Sequence, residues 1–169
     1  MGRWGDAVWR LCLARLRHRL DAEDAFQETF LALLRAAPTF ESNEHEKAWL
    51  LRCACNCTND VFRSRKRHRA LSLDDAGMSG AAGAAAGAVE AASEMPPGMA
   101  ADAELASALK RLTDSQRVAV HLYYYEGYSV EEIARITAQK GTTVRSHLHR
   151  ARKALKKELE ASAPCETTR

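Results

Sequence analysis

Between Ser72 and Ala103 the chain is built mostly of small residues: alanine and glycine dominate, five of the nine glycines fall here, and Pro96 and Pro97 interrupt any helix. A segment with so few large apolar side chains cannot join the stretches on either side of it into one core. As a flexible coil of about 30 residues it spans roughly 30 Å on average, and several times that when pulled straight. The 169-residue chain is therefore expected to divide into a domain over 1–70, a linker over 71–103, a second domain over 104–160 and a tail over 161–169. Each folded part is then the size of a small helical bundle.

Ahead of the linker the apolar residues recur at helical spacing. Val8, Cys12 and Leu16 mark a first amphipathic helix. Asp21 is the expected N-cap of a second helix, with Asp24 at its third position. Phe26, Thr29, Phe30, Leu33 and Ala37 share its expected buried arc, Asp24, Gln27, Glu28, Leu31 and Arg35 the opposite one, and Pro38 stops it. After an acidic loop, Asn43 followed by Glu46 has the form of a capping box. It opens a long helix whose expected inner face is Leu50, Cys53, Ala54, Cys57 and Val61.

Behind the linker, Leu105, Leu109 and Leu112 predict a helix, and Thr113 with Gln116 a second capping box ahead of Val118, Val120, Leu122 and a run of tyrosines. Glu126 and Gly127 end that helix. Ser129 with Glu132 starts a short one carrying Ile133, Ala134 and Ile136, a turn crosses Thr137 to Gly141, and a last helix runs from about Thr142 to Leu159. Short helix, tight turn and basic helix are the parts of a helix-turn-helix. With no strand-period alternation and no long repeat, the fold class is all-α: two small helical domains on a flexible linker.

A net charge of +3 is too small to argue for a nucleic-acid partner, so its distribution decides. One basic cluster holds Arg63, Arg65, Lys66, Arg67, His68 and Arg69; the other runs from Arg145 through His147, His149, Arg150, Arg152 and Lys153 to Lys157. Acidic residues gather elsewhere, at Glu41, Glu44 and Glu46 and at Glu131 and Glu132, the last two read as helix-dipole and capping residues. No apolar run is long enough for a spanning helix, and Arg3, Asp6 and Arg10 break any signal core at the N-terminus, so a cytoplasmic location without membrane insertion is expected.

In the last helix, about 100° per residue puts Val144, Leu148, Ala151, Leu155 and Leu159 on one apolar arc and Arg145, Ser146, His149, Arg150 and Lys153 on the opposite one. A solvated charged face would look the same in isolation. The capped short helix and turn in front of it point to a recognition helix that meets base edges with its first turns and phosphates with later cations. The first basic cluster is more open. Trp49, Asn56 and Asp60 upstream on the same helix would suit unpaired bases, yet Trp49 and Phe62 equally suit a core.

Five cysteines, an odd number, do not make a disulfide framework, and reduced thiols are expected. Cys53 and Cys57 share a helical face while Cys55 points some 200° away, so the three do not converge on one tetrahedral ion. Core filling is the expected role of Cys53 and Cys57, and a thiol redox switch the alternative. No nucleophile with its base, phosphate loop or carboxylate pair is evident, so no catalytic, metal or cofactor site is expected.

The segments DAEDAFQETFLALLR (Asp21 to Arg35), KAWLLRCACNCTNDVFRSRKR (Lys47 to Arg67) and YYYEGYSVEEIARITAQKGTTVRSHLHRARKAL (Tyr123 to Leu155) resemble the extracytoplasmic-function (ECF) sigma factors of bacterial RNA polymerase, in the same order and with a linker between. The resemblance implies sigma domain two, which clamps the largest polymerase subunit and captures the melted minus-ten element. It also implies sigma domain four, which docks on the flap of the other large subunit and reads the minus-thirty-five element as duplex. On that basis Asp24, Gln27 and Glu28 match the polymerase-binding surface. Asn56, Asp60, Arg63 and Arg67 match the minus-ten side, and Arg145, Ser146, His149 and Arg150 the minus-thirty-five readers, with Lys153 further along the same arc. The implied partners are core RNA polymerase and promoter DNA, with an anti-sigma factor as a further candidate.

The sequence departs from that pattern in the turn, where Ala138 and Gln139 stand in place of glycine and an aliphatic residue, at Thr113 in place of proline, at His147 in place of arginine, and in a short N-terminus, so that a clipped first helix of domain two with weakened packing is expected. A helix-turn-helix regulator that binds operators without joining a polymerase is the rival reading, and a cysteine enzyme a weaker one. Binding to core polymerase separates the first from both.

Overall fold

The computed structural model describes residues 3–74 and 103–162. These fall in two compact units, Met1–Glu94 and Met95–Arg169, each taken by itself. The described residues are helical, with no strand among them.

The first unit packs three helices against one another: α1 (Gly5–Leu16), α2 (Arg19–Ala36) and α3 (Asn43–Asp74). Far from being weakened, α1 buries Val8, Leu11, Cys12, Leu13 and Leu16. It closes at Arg17 in the left-handed region, and the next helix starts at once. His18, not Asp21, is the cap of α2: its ring accepts the Asp21 N–H at 3.5 Å. The Asp21 carboxylate is instead engaged by Arg65 from α3. Ser42, not Asn43, caps α3, its hydroxyl accepting the His45 N–H at 3.1 Å. Asn43 and Glu46 face α1's end of the chain, accepting from Arg3 and from the Trp4 indole.

Two expected faces rotate. The buried line of α2 is Ala22, Ala25 and Thr29. Phe26 and Phe30 lie half-buried beside it, ring to ring at 4.9 Å with Trp9 at 5.8 Å from Phe26, and Ala37 is exposed. Small side chains let helices approach closely while large rings seal the edge. On α3 the buried residues are Leu50, Leu51, Ala54, Cys55 and Thr58, whereas Cys53, Cys57 and Val61 are half-buried. Both α1 and α2 cover this helix, and their combined footprint is centred one residue away from the face that periodicity alone selects. Arg15 of α1 reinforces it, donating to Cys55 O at 2.8 Å and to Thr58 Oγ1 at 2.9 Å.

The second unit comprises α4 (Ala103–Arg111), α5 (Asp114–Val120), α6 (Val130–Thr137) and α7 (Gly141–Ser162), the first three each packing on the last. Thr113 and Gln116 form the expected capping box of α5. The helix then widens into a π-helical turn over His121–Tyr125, with Glu126 N–H donating to His121 O at 3.2 Å. Gly127 at φ 76° turns the chain without the penalty a side chain would bring. Ser129 and Glu132 box the start of α6 as expected. The turn is Ala138–Lys140, so α7 begins at Gly141, one residue ahead of its expected start. Helix also persists to Asp74, resumes at Ala103 and reaches Ser162, so the ends of the expected linker and the start of the tail are helical; residues 75–102 and 163–169 lie outside the described residues.

Candidate nucleic-acid interface

Helix α7 is two-faced. Val144, Leu148 and Ala151 are buried against α4, α5 and α6, which leaves Arg145, Ser146, His149, Arg150 and Lys153 exposed together. Ser146 donates its hydroxyl to Thr142 O at 3.0 Å, and Arg145 reaches across to Glu131 of α6 at 2.8 Å. Two members of the basic stretch do not join this face. Arg152 donates to Tyr124 Oη at 2.8 Å and lies 5.7 Å and 5.9 Å from the Tyr123 and Tyr124 ring centres. His147 is half-buried, and burial, then the Arg150 charge, pushes its imidazole below the usual histidine value, so at neutral pH it carries no charge to hold a phosphate.

Asn56, Asp60, Arg63 and Arg67 are all exposed, at spacings of four, three and four that make one stripe along α3. Arg63 donates to Asp60 at 3.0 Å within it. Trp49 is half-buried with its ring 5.9 Å from that of Phe40, and Phe62 lies under Arg15. Asp24, Gln27 and Glu28 are exposed on α2, with Glu28 3.4 Å from Arg35.

Three features escaped the sequence reading. Leu34, 75% exposed, extends the Asp24–Glu28 face into an apolar patch with Leu31. Tyr123, Tyr124 and Tyr125, which the sequence places after the apolar residues of that helix without giving them a face, are exposed on the π-helical turn. Tyr124 and Tyr125 line, with Leu105, Leu109, Val120 and Leu155, a groove of about 650 Å³. A run of three adjacent tyrosines spans too wide an arc to be buried whole, which was the one signal available.

Residues 1–68 match the Sigma-70 region 2 family and residues 102–155 the Sigma-70, region 4 family. The ECF RNA polymerase sigma factor SigW of Bacillus subtilis is 30% identical over 158 residues, covering 91% of this chain and 83% of the relative. The chain belongs to the ECF sigma factors. SigE of Mycolicibacterium smegmatis is 34% identical over 158 residues, and this chain spans 58% of its length. The fold resembles that of the sigma factor RpoE in its co-crystal structure with the anti-sigma factor NepR from Bartonella quintana, at a TM-score of 0.61 and 24% identity over 93% of this chain and 92% of that one. As an ECF sigma factor, the protein directs RNA polymerase to promoters for transcription initiation. No group of three or more potential metal ligands occurs among the described residues, and none of their helices is long and apolar enough to cross a membrane.

Proposed function

We propose that this ECF sigma factor acts entirely by positioning, with a separate binding surface on each helical unit and no reaction of its own. Asp24, Gln27 and Glu28 with the neighbouring Leu31 and Leu34 bind core polymerase. Asn56, Asp60, Arg63 and Arg67 line the minus-ten side, so that binding of extruded bases offsets the free energy of opening the duplex. Arg145, Ser146, His149, Arg150 and Lys153 meet the minus-thirty-five element. The observation that carries the reading is that all five of these side chains are exposed on one arc of α7 while Val144, Leu148 and Ala151 on the opposite arc are buried.

The apolar groove beside Tyr124 and Tyr125 suits the docking of the second unit on the polymerase flap. An anti-sigma factor is a further partner, by analogy with the NepR complex of the similar RpoE, and the site of action is the cytoplasm. In this reading the expected domains at 1–70 and 104–160 each carry one side of the division of labour, and the segment between them is the tether.

The test is transcription in vitro with core polymerase over a genomic library, with start sites mapped. Stable one-to-one binding to core and starts at a defined set of promoters are expected. A chain that binds duplex operators but not core would establish the operator-binding regulator instead.

A further inference from the structure

Glu131 and Arg145 stand on different helices of the helix-turn-helix, and their side chains meet at 2.8 Å between Oε1 and Nη2. The guanidinium lies back toward the start of α7, its Nη1 3.9 Å from where a Cβ on Gly141 would stand. Both side chains are open to water, 60% exposed for Arg145 and 67% for Glu131, so the pair adds little to folding. Nor does α6 need Glu131 to begin. Ser129 N–H donates to Glu132 at 2.8 Å and Glu132 N–H donates to the Ser129 hydroxyl at 3.3 Å, which completes the cap without it.

A carboxylate at the edge of a DNA-reading face is repelled by the phosphates of any duplex. Glu131 is tolerable there only while Arg145 neutralises it. If Arg145 swings to a phosphate it abandons Glu131 and leaves that carboxylate uncompensated. If it keeps Glu131 on one nitrogen, its remaining donors are held in a fixed plane, as the pairing of two acceptors on a base edge requires. We propose that Glu131 is a positioning residue that aims Arg145 at base edges and opposes its use on phosphates, and so sets discrimination between promoters more than strength of binding. The inference rests on the reading of Arg145 as an upstream base reader.

Holoenzyme carrying the wild-type chain, Glu131→Gln, Glu131→Asp, Arg145→Ala or the Glu131→Gln/Arg145→Ala pair tests it. The probes are the promoter that wild-type holoenzyme selects from a library randomised upstream, and the same promoter with that element scrambled. Affinities are measured at several salt concentrations. Glu131→Gln strengthens binding to the scrambled promoter without strengthening the selected one, so the ratio of affinities falls about three- to fivefold, the scale of one exposed ion pair. Glu131→Asp, which keeps the charge and shortens the reach, lowers the ratio with the salt slope unchanged. In the Arg145→Ala background Glu131→Gln moves both promoters equally. If Glu131→Gln moves both promoters equally, or neither, while Arg145 is present and Arg145→Ala still lowers the ratio, Glu131 is an ordinary surface charge and the base reader stands. If Arg145→Ala leaves the ratio unchanged, the base-reading assignment itself fails, and the role of Glu131 with it.

Discussion

Cys55 sits in the core of the first unit at 2% exposure, its carbonyl held by Arg15, while Cys53 and Cys57 on the same helix are half-buried. Burial pushes the Cys55 thiol up to about 11 and that of buried Cys12 to about 12, so neither forms a thiolate readily near neutrality. Residue by residue, this reverses the ranking that helical spacing suggests. Cys55→Ser places a hydroxyl where a thiol was packed and is expected to lower stability by about 1–3 kcal/mol, with Cys53→Ser within about 0.5 kcal/mol of wild type. Urea unfolding followed by tryptophan fluorescence measures the difference in this unit alone, since Trp4, Trp9 and Trp49 all belong to it. A larger loss for Cys53→Ser than for Cys55→Ser would restore the face chosen from spacing.

At the scale of elements, the turn between α6 and α7 decides how the exposed polar arc of α7 is presented. Ala138 closes α6 at φ 54°, in the left-handed region, and Gln139 N–H donates to Ala134 O at 2.9 Å. The hydrogen bonds of a helix end are made, but a Cβ is carried where glycine is unpenalised. Ala138→Gly is therefore expected to stabilise the second unit by about 1 kcal/mol, read as a higher melting temperature without change in helical content. A lower melting temperature would mean that loss of unfolded-state restriction outweighs the relief. The other expectation for α7 concerns pH. The imidazole of His147 is held below its usual 6.5, so as pH falls the unfolded chain takes up the proton first. Its contribution to stability is fully present above about 6.5 and is lost as pH drops through the lowered value. His147→Gln should flatten the acid side of the stability profile of this unit below about pH 6.5, and an unchanged slope would assign it to other groups.

For the whole molecule, the proposed function puts one binding surface on each of the two compact units. Reversing charge at Asp24 or Glu28, both exposed on α2, should weaken core binding by about 1 kcal/mol or more, roughly fivefold, with circular dichroism unchanged. Unchanged affinity in both variants would mark that face as merely solvated. The sequence alone determined the helices, the helix-turn-helix and the polar arcs of α2 and α7, because each depends on contacts within a few residues: 3.6-residue periodicity, the Thr113 and Ser129 boxes, Pro38 and Gly127 as stops. It also placed Arg145, Ser146, His149, Arg150 and Lys153 on one exposed arc, since the apolar residues opposite them left no other face for the core. The tertiary structure decided what depends on groups brought from far along the chain. Arg15 reaches Cys55 across 40 residues and, with the joint cover of α1 and α2, selects the buried side of α3. Arg65 engages Asp21 while the His18 ring caps α2, and the π-helical turn puts the tyrosines outside. Glu131 meets Arg145 only because the turn at Ala138 folds α6 back across α7, a proximity set by two helices together and by neither alone.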